Sequence, residues 1–378
     1  MKGSALVRIL LLILSSAFLF NCAAPRERVV AVDLIDVKEE VTSTGLAEST
    51  RLQYVQKKTW AYLDVIERSP NVKTVSRVTN NDNDDVFYGF MDYSPVGDVI
   101  AYSMTEKVEE VFKTENKKTT LLSEIYTSNI WKQRIGSFAK TRLTYGKRID
   151  TGPSFSRDGS KVVFSSDRSG RNTKIWMLNV DGGGGLRLLT STPAEDYSPY
   201  ASRAADLVTY TSIPDGANEP QIWTVDTLGR LATQLREGKD SRISPDGKWI
   251  AFLRKESKKP CDKDDDSSGD TIYQIWKMTV EGDRETQLTM NEDYCVKDPM
   301  WSPDGKWIVF TSNENIDSNK RRNYDIWLMA TDGTQRMQLT TNGSMDILPT
   351  FDRTGEHILF ISNRGGKWNV WRFTPVIY

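Results

Sequence analysis

The stretch Ser244-Pro245-Asp246-Gly247-Lys248-Trp249-Ile250 recurs without change at Ser302-Pro303-Asp304-Gly305-Lys306-Trp307-Ile308. Its chemistry is that of a tight turn feeding a strand. Proline fixes φ, glycine accepts the positive φ that closes the turn, and an aromatic and β-branched run follows. Weaker copies share the pattern: Ser156-Arg157-Asp158-Gly159 stands before Val162-Val163-Phe164, and Asp352-Arg353-Thr354-Gly355 before Ile358-Leu359-Phe360. Degenerate forms begin at Ser94 and Ser202, ahead of Val99-Ile100-Ala101-Tyr102 and Leu207-Val208-Thr209-Tyr210. The heptad is therefore a structural part used six times, and its repetition argues against assigning it chemistry.

Two further signatures travel with it. Ile or Val precedes Trp131, Trp176, Trp223, Trp276, Trp327 and Trp371, which stand 45, 47, 53, 51 and 44 residues apart. That is the period of a four-stranded propeller blade. Leu-Thr or a variant of it closes most units, at Leu143-Thr144, Leu189-Thr190, Leu235, Leu288-Thr289 and Leu339-Thr340. After Trp371 the chain is too short for a fourth strand, whereas Val75-Ser76-Arg77-Val78-Thr79, upstream of the first unit, reads like the missing closing strand. The expectation is an all-β fold: a six-bladed β-propeller over residues 72–378, closed by joining the two ends of the chain so that no sheet edge is left open at the seam. The tryptophans, sharing one repeat position, are expected to pack between blades.

Units of the form Ser-Pro-Asp-Gly-x-x-Ile, then Ile-Trp, then Leu-Thr, resemble the PD40 (WD40-like) repeats of the TolB propeller family, over roughly four fifths of the chain. The resemblance implies the fold strongly and the function weakly, because the family's propellers serve partner binding and also act as gating or accessory domains in some peptidases. TolB members carry a separate N-terminal α/β domain as well, and residues 23–71 are too few to form it.

The first residues read as a targeting segment. Lys2 and Arg8 precede the apolar run Ile9 to Phe20, shorter than a membrane span, and the run ends at Asn21-Cys22. This is similar to the lipobox of bacterial lipoproteins, with Asn21 in place of the usual small residue. Residues 1–21 are expected to be the signal peptide, Cys22 the lipidated residue, and 22–71 a tether holding one short helix around Leu52 to Ile66. Export would permit a disulfide between Cys261 and Cys295, pinning the insertion from Lys255 to Asp270.

Chemistry is sparse. A net charge of -1 without a basic block gives no footprint for nucleic acid. The chain has one histidine, His357, and neither a Gly-x-Ser-x-Gly elbow nor a phosphate-cradling glycine loop. Asp150, Asp196 and Asp346 occupy equivalent positions three residues before Pro153, Pro199 and Pro349. They would gather at one channel mouth, holding Ca²⁺ or a basic partner, or would each cap their own turn.

The expectation is thus a non-enzymatic, monomeric ring without a firm cofactor, lipid-anchored in the bacterial cell envelope. An outer-membrane position is expected, periplasmic or surface-exposed, with an envelope protein, peptide or polymer as partner. The alternatives are a glycan or peptide hydrolase using channel carboxylates and a purely structural envelope lipoprotein.

Overall fold

The computed structural model describes residues 67–376, apart from 84, 116–117, 171, 183, 218, 261–270 and 316–321. Cys22, the expected helix, and Cys261 lie outside the described residues.

Strand β1 (Val72–Arg77) comes first and belongs to the last blade. Blade 1 contains β2 (Val86–Tyr93), β3 (Val99–Glu115), β4 (Lys118–Arg134) and β5 (Lys140–Arg142). Blade 2 contains β6 (Asp150–Phe155), β7 (Lys161–Ser166), β8 (Lys174–Asn179) and β9 (Arg187–Leu188). Blade 3 is built from β10 (Glu195–Ala201), β11 (Leu207–Ile213), β12 (Gln221–Asp226) and β13 (Thr233–Glu237). Blade 4 follows with β14 (Lys239–Ile243), β15 (Trp249–Pro260), β16 (Thr271–Thr279) and β17 (Thr286–Gln287). Blade 5 has β18 (Val296–Trp301), β19 (Trp307–Ser312), β20 (Asp325–Ala330) and β21 (Met337–Gln338). Blade 6 has β22 (Asp346–Phe351), β23 (Ile358–Ser362) and β24 (Asn369–Pro375), with β1 as its fourth strand.

Each sheet is antiparallel, and its first strand contacts the first strand of the next blade around the ring, β22 meeting β2 at the seam. The expected six-bladed propeller and its closure are both present, with the closing strand placed at Val72–Arg77.

The three signatures now have physical roles. In the heptad, Gly247 and Gly305 adopt φ of 75° and 71°, and the serine works as a local clamp. Ser244 Oγ donates to Asp246 Oδ1 at 2.5 Å and accepts from Trp249 N at 2.9 Å, and Ser302 repeats both contacts with Asp304 and Trp307 at the same distances. The threonine of the closing signature takes the place of a ladder bond. Its Oγ1 accepts the backbone N–H of the residue before the repeat tryptophan, as in Ile130 to Thr144 (2.9 Å), Ile275 to Thr289 (2.9 Å) and Ile326 to Thr340 (3.0 Å). At the seam Val370 N donates to Thr79 Oγ1 at 2.8 Å, so the N-terminal segment supplies the part that blade 6 lacks.

The second strand of every blade is buried on both faces. Tyr102, Phe164, Tyr210, Phe252, Phe310 and Phe360 occupy one equivalent position and are all at most 1% exposed. Burying such a ring stabilises by about 2–3 kcal/mol each, a tertiary contribution added to the strand preference of these short segments. The repeat tryptophans pack, as expected, against the apolar layers between blades. One ion pair ties three blades: Arg203 of blade 3 reaches Asp92 of blade 1 at 2.8 and 2.7 Å and also donates to the Phe155 carbonyl of blade 2.

Candidate functional site

The inner strands begin at one end of the ring, and Asp150, Asp196 and Asp346 sit at that end, all fully buried. Each is occupied within its own blade junction. Arg168 Nη2 donates to both oxygens of Asp150 at 2.8 and 2.7 Å. Asp196 accepts from Ser212 Oγ at 2.7 Å and pairs with Lys174 at 3.3 Å. Asp346 pairs with Arg364 at 2.5 Å. Among the described residues no group of three or more His, Cys, Asp or Glu side chains is placed to hold a metal ion. The three carboxylates are separate braces of the ring.

The junction between blades 5 and 6 departs from its equivalents. Where blade 2 places Lys174 against Asp196, blade 5 places Asp325 against Asp346, and Glu67 also reaches Arg364 at 3.1 Å. Burial, with Asp346 and Glu67 nearby, pushes the Asp325 carboxyl up to about 9, so it carries a proton at neutral pH.

Two residues beyond these aspartates lies a feature that the sequence did not announce. Every inner strand breaks register with its neighbour within its first few residues. In five blades the bulged residue has a positive φ: Gly152 (63°), Ser198 (51°), Asp240 (52°), Asp298 (54°) and Leu348 (53°). For residues with a side chain this left-handed backbone costs about 1 kcal/mol or more each. The strain is held in place by threonines of the preceding blade. Thr211 Oγ1 accepts from Asp240 N at 3.0 Å, and Thr311 Oγ1 accepts from Leu348 N at 3.3 Å while donating to Asp298 Oδ2 at 3.0 Å.

Blades 4 and 5 carry a duplicated Lys-Asp at this bulge. Lys239 Nζ stands 3.9 Å over the Tyr273 ring, and Lys297 Nζ 5.0 Å over the Tyr324 ring. Burial and the charge of Asp240 raise the proton affinity of Asp298, and burial, Asp240 and Tyr273 push the Tyr197 hydroxyl well up. Arg242, two residues beyond Asp240, is only 6% exposed, yet its Nη1 bonds are to Ser198 Oγ (3.3 Å) and the Ser241 carbonyl (2.9 Å). Among the described residues no carboxylate lies within ion-pair distance of it. A nearly buried guanidinium with no direct ion pair among the described residues, its charge felt by the Asp298 carboxyl nearby, together with a set of tyrosines, suits the hydrogen-bonding and mixed charge of a polypeptide.

Two arms rise from the same end of the ring. In blade 1, β3 and β4 continue past Glu106, the partner of the first residue of β2, and pair out to Glu115 and Lys118. In blade 4, β15 and β16 continue to the pair Pro260 and Thr271. Blades 1 and 4 are opposite one another in a six-bladed ring. The insertion expected from Lys255 to Asp270 thus begins as paired strand, and the blade 1 arm is an element the sequence analysis does not contain; the spacing between the turn at Ser94 and Trp131 is the available signal. Cys295 is buried and disulfide-bonded, and its partner lies outside the described residues. His357 is held at the base of its own turn, Nδ1 to Asp352 Oδ2 at 2.9 Å.

The family model for the TolB beta propeller domain (PD40) matches residues 115–263. The ring resembles the TolB-type β-propeller over that stretch. An uncharacterized peptidase of Bacillus subtilis, YuxL, is 25% identical over 252 residues, covering 63% of this chain and 31% of the relative. The Tol-Pal system protein TolB of Nitratidesulfovibrio vulgaris is 28% identical over 156 residues, covering 40% of this chain and 30% of the relative. The chain thus spans about a third of the length of these two relatives. An oligogalacturonate lyase from Vibrio parahaemolyticus superposes with a TM-score of 0.50 at 11% identity, covering 82% of this chain and 95% of that one, a likeness of fold.

These findings correct the reading of the chain as non-enzymatic. One relative is named as a peptidase and a ring of the same fold belongs to a lyase, so enzymes stand among the proteins this chain resembles. No helix among the described residues is long and apolar enough to cross a membrane.

Proposed function

We propose that the chain binds an extended protein or peptide segment at the channel mouth, on the end of the ring from which the two arms rise. In this reading it works in the bacterial cell envelope, held to a membrane by a lipid on Cys22. The observation that carries the proposal is the cluster of blades 3 to 5: buried Arg242, with no direct ion pair among the described residues, next to Asp240 and Asp298 held in left-handed backbone. A fold retains such strain where the surrounding structure enforces it, and sites of recognition are where it concentrates. The lipidated Cys22 rests on the order of the N-terminal sequence, and a disulfide joining Cys295 to Cys261 would tie the far end of the blade 4 arm to the start of blade 5.

The test is affinity capture from envelope extracts with the ring as bait, read by mass spectrometry, against an Arg242→Ala variant and a paired Asp240→Asn and Asp298→Asn variant. The binding partner should be lost from both variants while their unfolding curves show an intact ring. Identical captures by all three baits would exclude the channel mouth as the binding surface. Palmitate labelling that survives Cys22→Ala would exclude the anchor.

A second reading is favoured by the raised proton affinity of Asp298 beside Asp240, which is the arrangement a proton-donating hydrolase needs. It expects turnover of a peptide or glycan panel by the wild-type chain and its loss in the paired aspartate variant.

A further inference from the structure

Beyond Glu106, β3 has β4 on one side and, among the described residues, no strand on the other, because β2 begins at Val86 opposite Glu106. The arm therefore carries two outer edges. They are not alike. The β3–β4 ladder shifts between Lys107 and Glu109, and again between Val111 and Phe112, where Ser123 and Leu121 are the partners and Leu122 is the extra residue. The second shift bulges β4 and leaves β3 continuous from Glu109 to Glu115. A bulge is a common device for blunting an edge, and the β3 edge lacks it over this stretch.

The sequence on that continuous edge is Glu109-Glu110-Val111-Phe112-Lys113-Thr114-Glu115. If two copies pair antiparallel through a two-fold axis, the axis is normal to the joint sheet, and each residue keeps its face. Only residues of the same parity then stand opposite one another. Centred on Val111, this places Glu109 opposite Lys113 of the second copy and Lys113 opposite Glu109, with Val111 meeting its own counterpart. Shifting the centre by one residue toward the N-terminus sets Glu110 against Glu110. Shifting it by one toward the C-terminus sets Glu109 against Glu115. Opposite charges across a strand pair stabilise and like charges destabilise, so among these three registers only the one centred on Val111 is free of like-charge pairs.

We propose that two copies of this chain associate through the β3 edges of their blade 1 arms, antiparallel and centred on Val111. The product is a four-stranded sheet in the order β4, β3, β3, β4 linking two rings. The self-complementary charge order commits the edge to a second copy, since an unrelated strand would have no reason to match it.

The test uses the full chain purified in mild detergent, with mass measured by light scattering and sedimentation. The wild-type chain should form a dimer. Lys113→Glu and Glu109→Lys should each weaken self-association about tenfold or more, since each sets two like-charge pairs against one another. Mixing the two variants should restore association as a mixed dimer, because one copy then carries an acid at both positions and the other a lysine at both. That recovery distinguishes pairing from damage to the arm. A monomeric wild-type chain, single variants that dimerise like the wild type, or a mixture that stays monomeric would each overturn the proposal.

Discussion

Asp325 offers the sharpest quantitative test of the ring's electrostatics. It is 4% exposed, it accepts from Gln338 Nε2 at 3.2 Å, and Arg364, the cation of this junction, is taken by Asp346 and Glu67. The folded carboxyl is raised from its ordinary value of 3.8 to about 9. A raised value means that the folded state holds the proton more tightly than the unfolded chain does. The stability from this group is complete below the unfolded value and is lost progressively as pH rises toward the folded value. Each pH unit in that window is worth about 1.4 kcal/mol, so folding at neutral pH carries a penalty of up to about 4 kcal/mol. Asp325→Asn copies the neutral acid in shape and removes the titration. The variant should match the wild type near pH 4 and exceed it by about 2–4 kcal/mol at about pH 7, in paired urea titrations across that range. A stability difference that stays flat with pH would refute the reasoning, because it would show Asp325 ionised and sharing Arg364.

Three further outcomes follow from named contacts. Arg203→Ala leaves Asp92 buried without its cation and should cost about 3–5 kcal/mol, with part of the loss recovered when Asp92 is also replaced by alanine; an additive double variant would deny the coupling. Thr79→Val strips the acceptor from Val370 N at the seam and should cost about 1–3 kcal/mol, close to Thr289→Val in blade 4. A silent Thr79→Val beside a destabilising Thr289→Val in urea titrations would show that the seam is looser than the other blades. Asp240→Gly relieves a φ of 52° and should raise the melting temperature through a gain of up to about 1 kcal/mol while weakening partner capture; a lower melting temperature would show that the aspartate braces the strand.

The blade count, the strand order and the closure at the seam were legible in the sequence because each depends on chemistry that is local and repeated. A glycine at positive φ, a serine clamping its own turn, and a threonine receiving the N–H beside a tryptophan are contacts between residues close in the chain, renewed in unit after unit. Even the seam was readable, since Thr79 repeats a part that blade 6 lacks. The site was legible only in outline. Asp150, Asp196 and Asp346 were visible as a repeated position, but whether they open to a ligand or face a cation depends on Arg168, Lys174 and Arg364, whose nearness comes from the packing of blades. Asp240, Asp298 and Arg242 carried no motif, because the bulge that strains the inner strands arises where six strands converge on one axis. The arm of blade 1 escaped notice for a related reason: a strand that outruns its neighbour looks, in sequence, like the loop it replaces. Local turn and ladder chemistry is written residue by residue, whereas register, bulge and ion pairing are set by neighbours brought together around the ring, and only the tertiary structure decides them.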